Sequence, residues 1–261
     1  MTMSIKNKIF IEDSIELLPA YFVLAEANIC LGGVRLKKAE EFLIAAYWNL
    51  LKFTSEENEK GGSEDSLVSK KEIQQYRACL HKTFGRLFLA QSRAETHQKA
   101  LEELSQGIFL ECSEHGPESI YLSSSYYYMG ELFRKEDSVQ KARSFFSKIS
   151  QIWKRFIMEK DLSMQNPMYS TIDEIHYHEA IQHLNTIKAF FEQEFGHDHT
   201  LTAESYLSFG LVCLKTGDFG SCVEYLSKAK MTFENQQGEF DFKTKEVENL
   251  LRELHNIMQQ N

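Results

Sequence analysis

An all-α fold, a solenoid of stacked helix pairs, is predicted by two features of this sequence. Its 261 residues contain only 3 Pro, which leaves long stretches that nothing breaks, whereas a sheet sandwich needs a turn roughly every ten residues. Small or thiol residues (Ala39, Ala100, Ala142, Ala180 and Cys222) each stand four places before a large apolar one, and after a first gap of 61 they recur about every 40 residues. A hydrophobic fraction of 43%, a charged fraction of 26%, and 19 Phe with 11 Tyr supply a bulky core for one repeat array over residues 1–261. The same figures exclude disorder, collagen and disulfide scaffolds.

The repeat is plainest in two segments. Tyr126, Met129, Gly130 and Phe133 align with Tyr206, Phe209, Gly210 and Cys213. Twelve residues beyond each Gly come Ala142 and Cys222, then Phe146 and Leu226 at plus four, and Ile149 and Ala229 at plus seven. These are the spacings of a tetratricopeptide (TPR) helix pair, whose small residues let two helices approach while large neighbours fill the grooves. A looser first pair sets Tyr21, Leu24, Ala25 and Asn28 before Ala39, Leu43 and Ala46, with Gly32-Gly33 between. The second sets Phe84, Gly85 and Phe88 before Ala100, Leu104 and Gly107. Ala180, Leu184 and Ile187 mark a second helix that lacks a first, because Pro167 and the polar stretch Ser163 to Thr171 stand in its place. The expectation is about five pairs, the fourth degenerate.

The connecting elements follow in turn. Residues 53–72, rich in Ser, Glu, Gly and Lys around Gly61-Gly62, predict an acidic flexible loop between the first and second pairs. His115-Gly116-Pro117 and Gly196-His197-Asp198-His199 predict turns into helices capped by Ser119 and Thr200, and Gly217-Asp218-Phe219 predicts a tight turn within the last pair. Val247, Leu250, Leu251, Leu254 and Ile257 share a helical face, so residues 241–259 are expected to cap the open end of the stack.

Charge narrows the partners. With 29 Lys+Arg against 38 Asp+Glu the net charge is −9, which disfavours nucleic acid and anionic membranes and favours basic segments of proteins. No 18 apolar residues run together, and Ile9-Phe10-Ile11 before Glu12 and Asp13 is too short for the core of a signal peptide. Cys30, Cys79, Cys112, Cys213 and Cys222 are odd in number and scattered through apolar helical contexts, and read as reduced thiols of an intracellular protein.

Candidate chemistry is sparse. In His176-Tyr-His178-Glu179-Ala-Ile-Gln-His183 the last two histidines are five apart, off register for the i, i+4 pair of a zinc-protease helix. Glu179 and His183 share a face and could pair, on what is expected to be a solvated surface. His197-Asp198-His199 is expected to hold a turn or cap a helix. There is no G-x-S-x-G, no C-x-x-C and no Gly-rich phosphate loop, so the sequence predicts a non-enzyme without cofactor or metal. What such an array does is bind. Its first helices line a concave groove, and positions three before, one after and four after the close-packing residue face inward. They select Phe22, Glu26, Lys82, Arg86, Leu89, Tyr127, Glu131, Arg134, Leu207, Leu211 and Leu214, a mixture suited to an extended or helical peptide. The type that grips a terminal carboxylate needs Asn and Lys there; only Lys82 fits, and Glu26 and Glu131 would repel the ligand.

Three segments carry a more specific likeness: Asp13-Ser-Ile-Glu-Leu-Leu-Pro-Ala-Tyr-Phe-Val-Leu-Ala-Glu-Ala, Ala39-Glu-Glu-Phe-Leu-Ile-Ala-Ala-Tyr-Trp-Asn-Leu-Leu-Lys, and Phe145-Phe-Ser-Lys-Ile-Ser-Gln-Ile-Trp153. In them, and in order from about Ser14 to Met258, the chain resembles the TPR region of the zinc finger MYND domain-containing protein 12 family. Phe195-Gly-His-Asp-His-Thr-Leu-Thr-Ala203 resembles the repeats of kinesin light chains. The resemblance implies a structural protein of the axoneme in cilia and flagella, cytoplasmic before assembly. There it would help attach a single-headed inner-arm dynein, by its heavy-chain tail, to doublet microtubules beside tetratricopeptide repeat protein 29. The family's zinc finger has no counterpart before Ser14, where there is neither Cys nor His, so no metal residue carries over. The alternative is a cytoplasmic TPR adaptor for dynein preassembly or motor cargo.

Overall fold

The computed structural model describes residues 14–59, 69–159 and 174–260, and every regular element among them is helical, as the sequence predicts. The helices are α1 (Leu18–Leu31), α2 (Arg35–Glu59), α3 (Lys70–Gln91), α4 (Ala94–His115), α5 (Ser123–Lys135), α6 (Val139–Glu159), α7 (Glu174–Phe195), α8 (Thr200–Lys215), α9 (Phe219–Gln237) and α10 (Phe242–Gln260). Short 3-10 turns, Ile15–Leu17 and Ile120–Leu122, lead into α1 and α5. The chain divides into two compact units, Met1–Pro117 and Glu118–Asn261.

In the first unit α1 packs on α2 and α3, α2 on α3, and α3 on α4. Phe22, Ala25 and Ile29 of α1 meet Ala39, Leu43, Ala46 and Leu50 of α2 and Leu80 and Leu87 of α3 in one apolar cluster. Helix α1 stops because Gly32 and Gly33 adopt φ of 64° and 56°, a left-handed backbone that glycine tolerates and other residues resist. Helix α2 then overruns its expected end. Phe53 packs against the cluster and holds the helix on to Glu59. At the far side a capping box opens α3: the Ser69 hydroxyl accepts from the Glu72 N–H at 3.2 Å, and the Glu72 carboxylate accepts from the Ser69 N–H at 2.8 Å. The loop expected over 53–72 is therefore too wide at both ends. Its centre, residues 60–68 with Gly61-Gly62, lies outside the described residues, as do residues 1–13 and the stretch 163–171 with Pro167.

In the second unit α5 packs on α6 and α7, α8 on α6, α7 and α9, and α9 on α10. Close approach explains the recurring glycines. A Cβ at Gly130 of α5 would collide with a ring carbon of Phe146 on α6, and one at Gly210 of α8 would lie 3.2 Å from Leu226 on α9. In the first unit a Cβ at Gly85 of α3 would collide with Leu104 of α4. The turns after α5 and α8 match as well. Asp137 (φ 53°) and Gly217 (φ 79°) reverse the chain, so that Ser138 N–H donates to Phe133 O at 2.9 Å and Asp218 N–H to Cys213 O at 3.0 Å, the six-to-one bond of a Schellman end.

The connectors into the next helices share a second device. Gly116, Gly196 and Gly238 all have positive φ, and three residues after each a side chain accepts a backbone N–H. These are Ser119 from Tyr121 at 3.4 Å, His199 from Leu201 at 3.1 Å and Asp241 from Lys243 at 2.8 Å. The cap of α8 is thus His199 through its ring nitrogen, as its tripeptide suggested, and not Thr200, which is already helical. Helix α10 lies where a capping helix was expected over 241–259 and buries Val247, Leu250 and Leu254; the side chain of Ile257 lies outside the described residues.

Candidate functional site

The residues selected from the sequence are brought together best in the first unit, along the line where α1 meets α3. Phe22 of α1 is buried with its ring 6.4 Å from that of Tyr76 on α3. One turn on, Glu26 lies 3.6 Å from the Arg86 guanidinium, and after another turn Cys30 Sγ accepts from Arg86 Nη2 at 3.1 Å. Lys82, on the same stretch of α3, reaches across to Glu111 of α4 at 3.7 Å. The spacing of 22, 26 and 30 puts three different chemistries on one helical edge. Burial pushes the Tyr76 phenol up, with Glu72 and Glu16 adding to it, and burial likewise pushes the Cys79 thiol up. The edge is a mixed, half-covered surface of paired charges beside apolar rings, with Glu26 and Arg86 still in contact with water. Leu89 is buried.

In the second unit the expected inner face is largely closed. Leu207 and Leu211 of α8 are 1% and 0% exposed and belong to the core. Both α6 and α7 pack directly on α8, and Ser208 Oγ donates to the Ser150 carbonyl of α6 at 2.9 Å. Leu207, Ser150, Phe233 and Lys243 line one cavity. Tyr127 of α5 is covered by His183 of α7, whose ring stacks on it at 3.8 Å between centroids. His183 is therefore not on a solvated face as expected: it is buried, with Tyr128 edge-on to it, while Glu179 stands 3.8 Å from its Nε2 and accepts from Ser124 Oγ at 2.8 Å. The pairing of Glu179 with His183 was legible; the two tyrosines around it were not. Glu131 and Arg134 turn to each other in a two-pronged ion pair at 2.8 and 2.7 Å, which holds the guanidinium firmly protonated.

Three features escaped the sequence. Lys188 of α7 is buried, donating to Tyr225 Oη at 2.7 Å and lying 4.1 and 4.7 Å from the ring centres of Tyr225 and Phe209. Lys154 with Glu246 at 2.6 Å and Lys243 with Glu204 at 2.5 Å tie α10 to α6 and α8. An apolar stripe is exposed on α2. The first two have no periodic signature, since each depends on what another helix brings opposite. Among the described residues no three His, Cys, Asp or Glu side chains are placed to hold a metal ion, and no helix is long and apolar enough to cross a membrane. No protein-family model matches the chain.

Proposed function

We propose that this chain is a non-enzymatic TPR-type adaptor of the ciliary axoneme, which helps to attach an inner-arm dynein to doublet microtubules. The observation that carries the TPR part is the glycine of one helix closing on a bulky side chain 16 residues further on. It recurs at Gly130 with Phe146 and at Gly210 with Leu226, and each pair is joined by the same hydrogen-bonded turn. A small residue at the crossing of two helices is what that repeat requires. The axonemal part rests on the likeness of Ser14 to Met258 to the MYND-12 family's TPR region. The edge of Phe22, Glu26, Lys82 and Arg86 is the surface best suited to a partner, because its paired charges can exchange neighbours with an incoming peptide at little net cost. The Tyr127, Leu207 and Leu211 positions contribute packing instead.

Fractionation of ciliated cells tests the assignment. The protein should stay with demembranated axonemes at raised salt, and cross-linking should join it to an inner-arm dynein tail and a tetratricopeptide repeat protein 29-like partner. Recovery wholly in the soluble cytoplasm overturns the axonemal reading. Soluble complexes with motors or chaperones would transfer it to dynein preassembly or cargo binding.

A further inference from the structure

Helix α2 has two apolar faces. One, through Ala39, Leu43, Ala46 and Leu50, is sunk in the core of the first unit. On the other, Ile44, Tyr47, Trp48 and Leu51 are 45%, 44%, 63% and 40% exposed. Their spacing of i, i+3, i+4 and i+7 makes one continuous stripe, about 10 Å long at the rise of an α-helix. The rings of Tyr47 and Trp48 meet edge-on at 5.9 Å, so the stripe has an aromatic centre between two aliphatic ends. Single exposed apolar residues are ordinary, whereas four aligned on one face mark a surface that docks.

The stripe reads the same from either end. About the midpoint between residues 47 and 48, Ile44 is the counterpart of Leu51 and Tyr47 that of Trp48. Glu41 and Lys52, both exposed at its margins, are counterparts to within one turn. Two copies of α2 lying antiparallel across a two-fold axis at that midpoint therefore set Ile44 on Leu51 and Glu41 beside Lys52, each contact occurring twice, while Tyr47 meets Tyr47 on one margin and Trp48 meets Trp48 on the other. A parallel arrangement would put the charges of the two copies on opposite margins of the stripe and form no such pair. We propose that the outer face of α2 is a self-association surface, and that its occupant is the same face of a second copy of this chain. This is independent of the axonemal reading. The complementarity closes on itself in both size and charge, which an unrelated helix would have to match separately. A stripe of one helix is at the small end of specific interfaces, so the dimer forms with rising concentration and is not obligate.

Sedimentation velocity of the full chain over a concentration series is the test. The expected result is a shift from monomer to dimer that Trp48→Glu abolishes, with the helical circular dichroism unchanged because Trp48 is exposed. Glu41→Lys and Lys52→Glu each replace two attractive contacts by repulsive ones and should weaken the dimer about tenfold. The double variant Glu41→Lys/Lys52→Glu restores opposite charges across the axis and should recover it. A chain that stays monomeric throughout overturns the proposal, as does a dimer that survives Trp48→Glu, or a double variant no better than the singles. A monomeric chain whose α2 face instead binds a different protein also overturns it.

Discussion

Glycine 130 is fixed by the ring it touches, and the same substitution should have opposite signs at two glycines of the second unit. Gly130→Ala drives a methyl into Phe146 and should lower stability by about 1–3 kcal/mol. Gly220→Ala, in the first turn of α9, meets nothing nearer than an Asp218 oxygen at 3.7 Å and should raise stability by about 0.5 kcal/mol. Thermal melts of the two variants check both. The cysteines divide as sharply. Burial pushes the Cys213 thiol up to about 11 and that of Cys222 up to about 12, whereas Cys30 is exposed beside Arg86. A thiol reagent should label Cys30 in the native protein and reach Cys213 and Cys222 only after unfolding. Gly130 and Gly210 were legible in the sequence because close packing dictates both size and spacing. Lys188 was not: nothing about a lysine announces that Tyr225, 37 residues away, will lie under it.

At the scale of elements, helix α6 is pinned to the chain entering α5 by Glu118, which accepts from both Lys148 and Arg155. These two hydrogen bonds hold its carboxyl at about 2, below the ordinary 4.5. A carboxyl depressed in the folded state stabilises it above its ordinary value, and that contribution is lost as pH falls from about 4.5 towards about 2. Acid titration followed by circular dichroism should show this loss, and Glu118→Gln should make the melting temperature less sensitive to pH in that window. The opposite sign holds for Tyr206. Burial and the hydrogen bond to Glu192 push its phenol up, so its contribution is present below the ordinary value and is lost in alkali. Helix type and order were legible because periodicity records which face is buried. The boundaries of the 53–72 loop were not, since composition registers the Ser and Glu that favour water and misses the anchoring of Phe53. The faces of α8 were misjudged for a related reason. Periodicity does not show how many helices will lie against one: α6, α7 and α9 all pack on α8, and Leu207 and Leu211 are buried.

For the whole molecule, the division at Pro117 leaves each unit with helices that pack among themselves. A fragment of residues 118–261 should accordingly retain helical circular dichroism and a cooperative thermal transition; a featureless melt would show that its core is incomplete without the first unit. Within each unit, the helices that pack most extensively are neighbours along the chain or next but one, and the Lys154–Glu246 pair between α6 and α10 is a longer-range tie. The physical consequence is kinetic. Contacts so near in sequence require no long loop to be closed before they reward the chain, so refolding should be complete in roughly microseconds to milliseconds by stopped-flow measurement. On the ribosome the order of synthesis is then also the order of assembly: each helix emerges to find its neighbour already waiting.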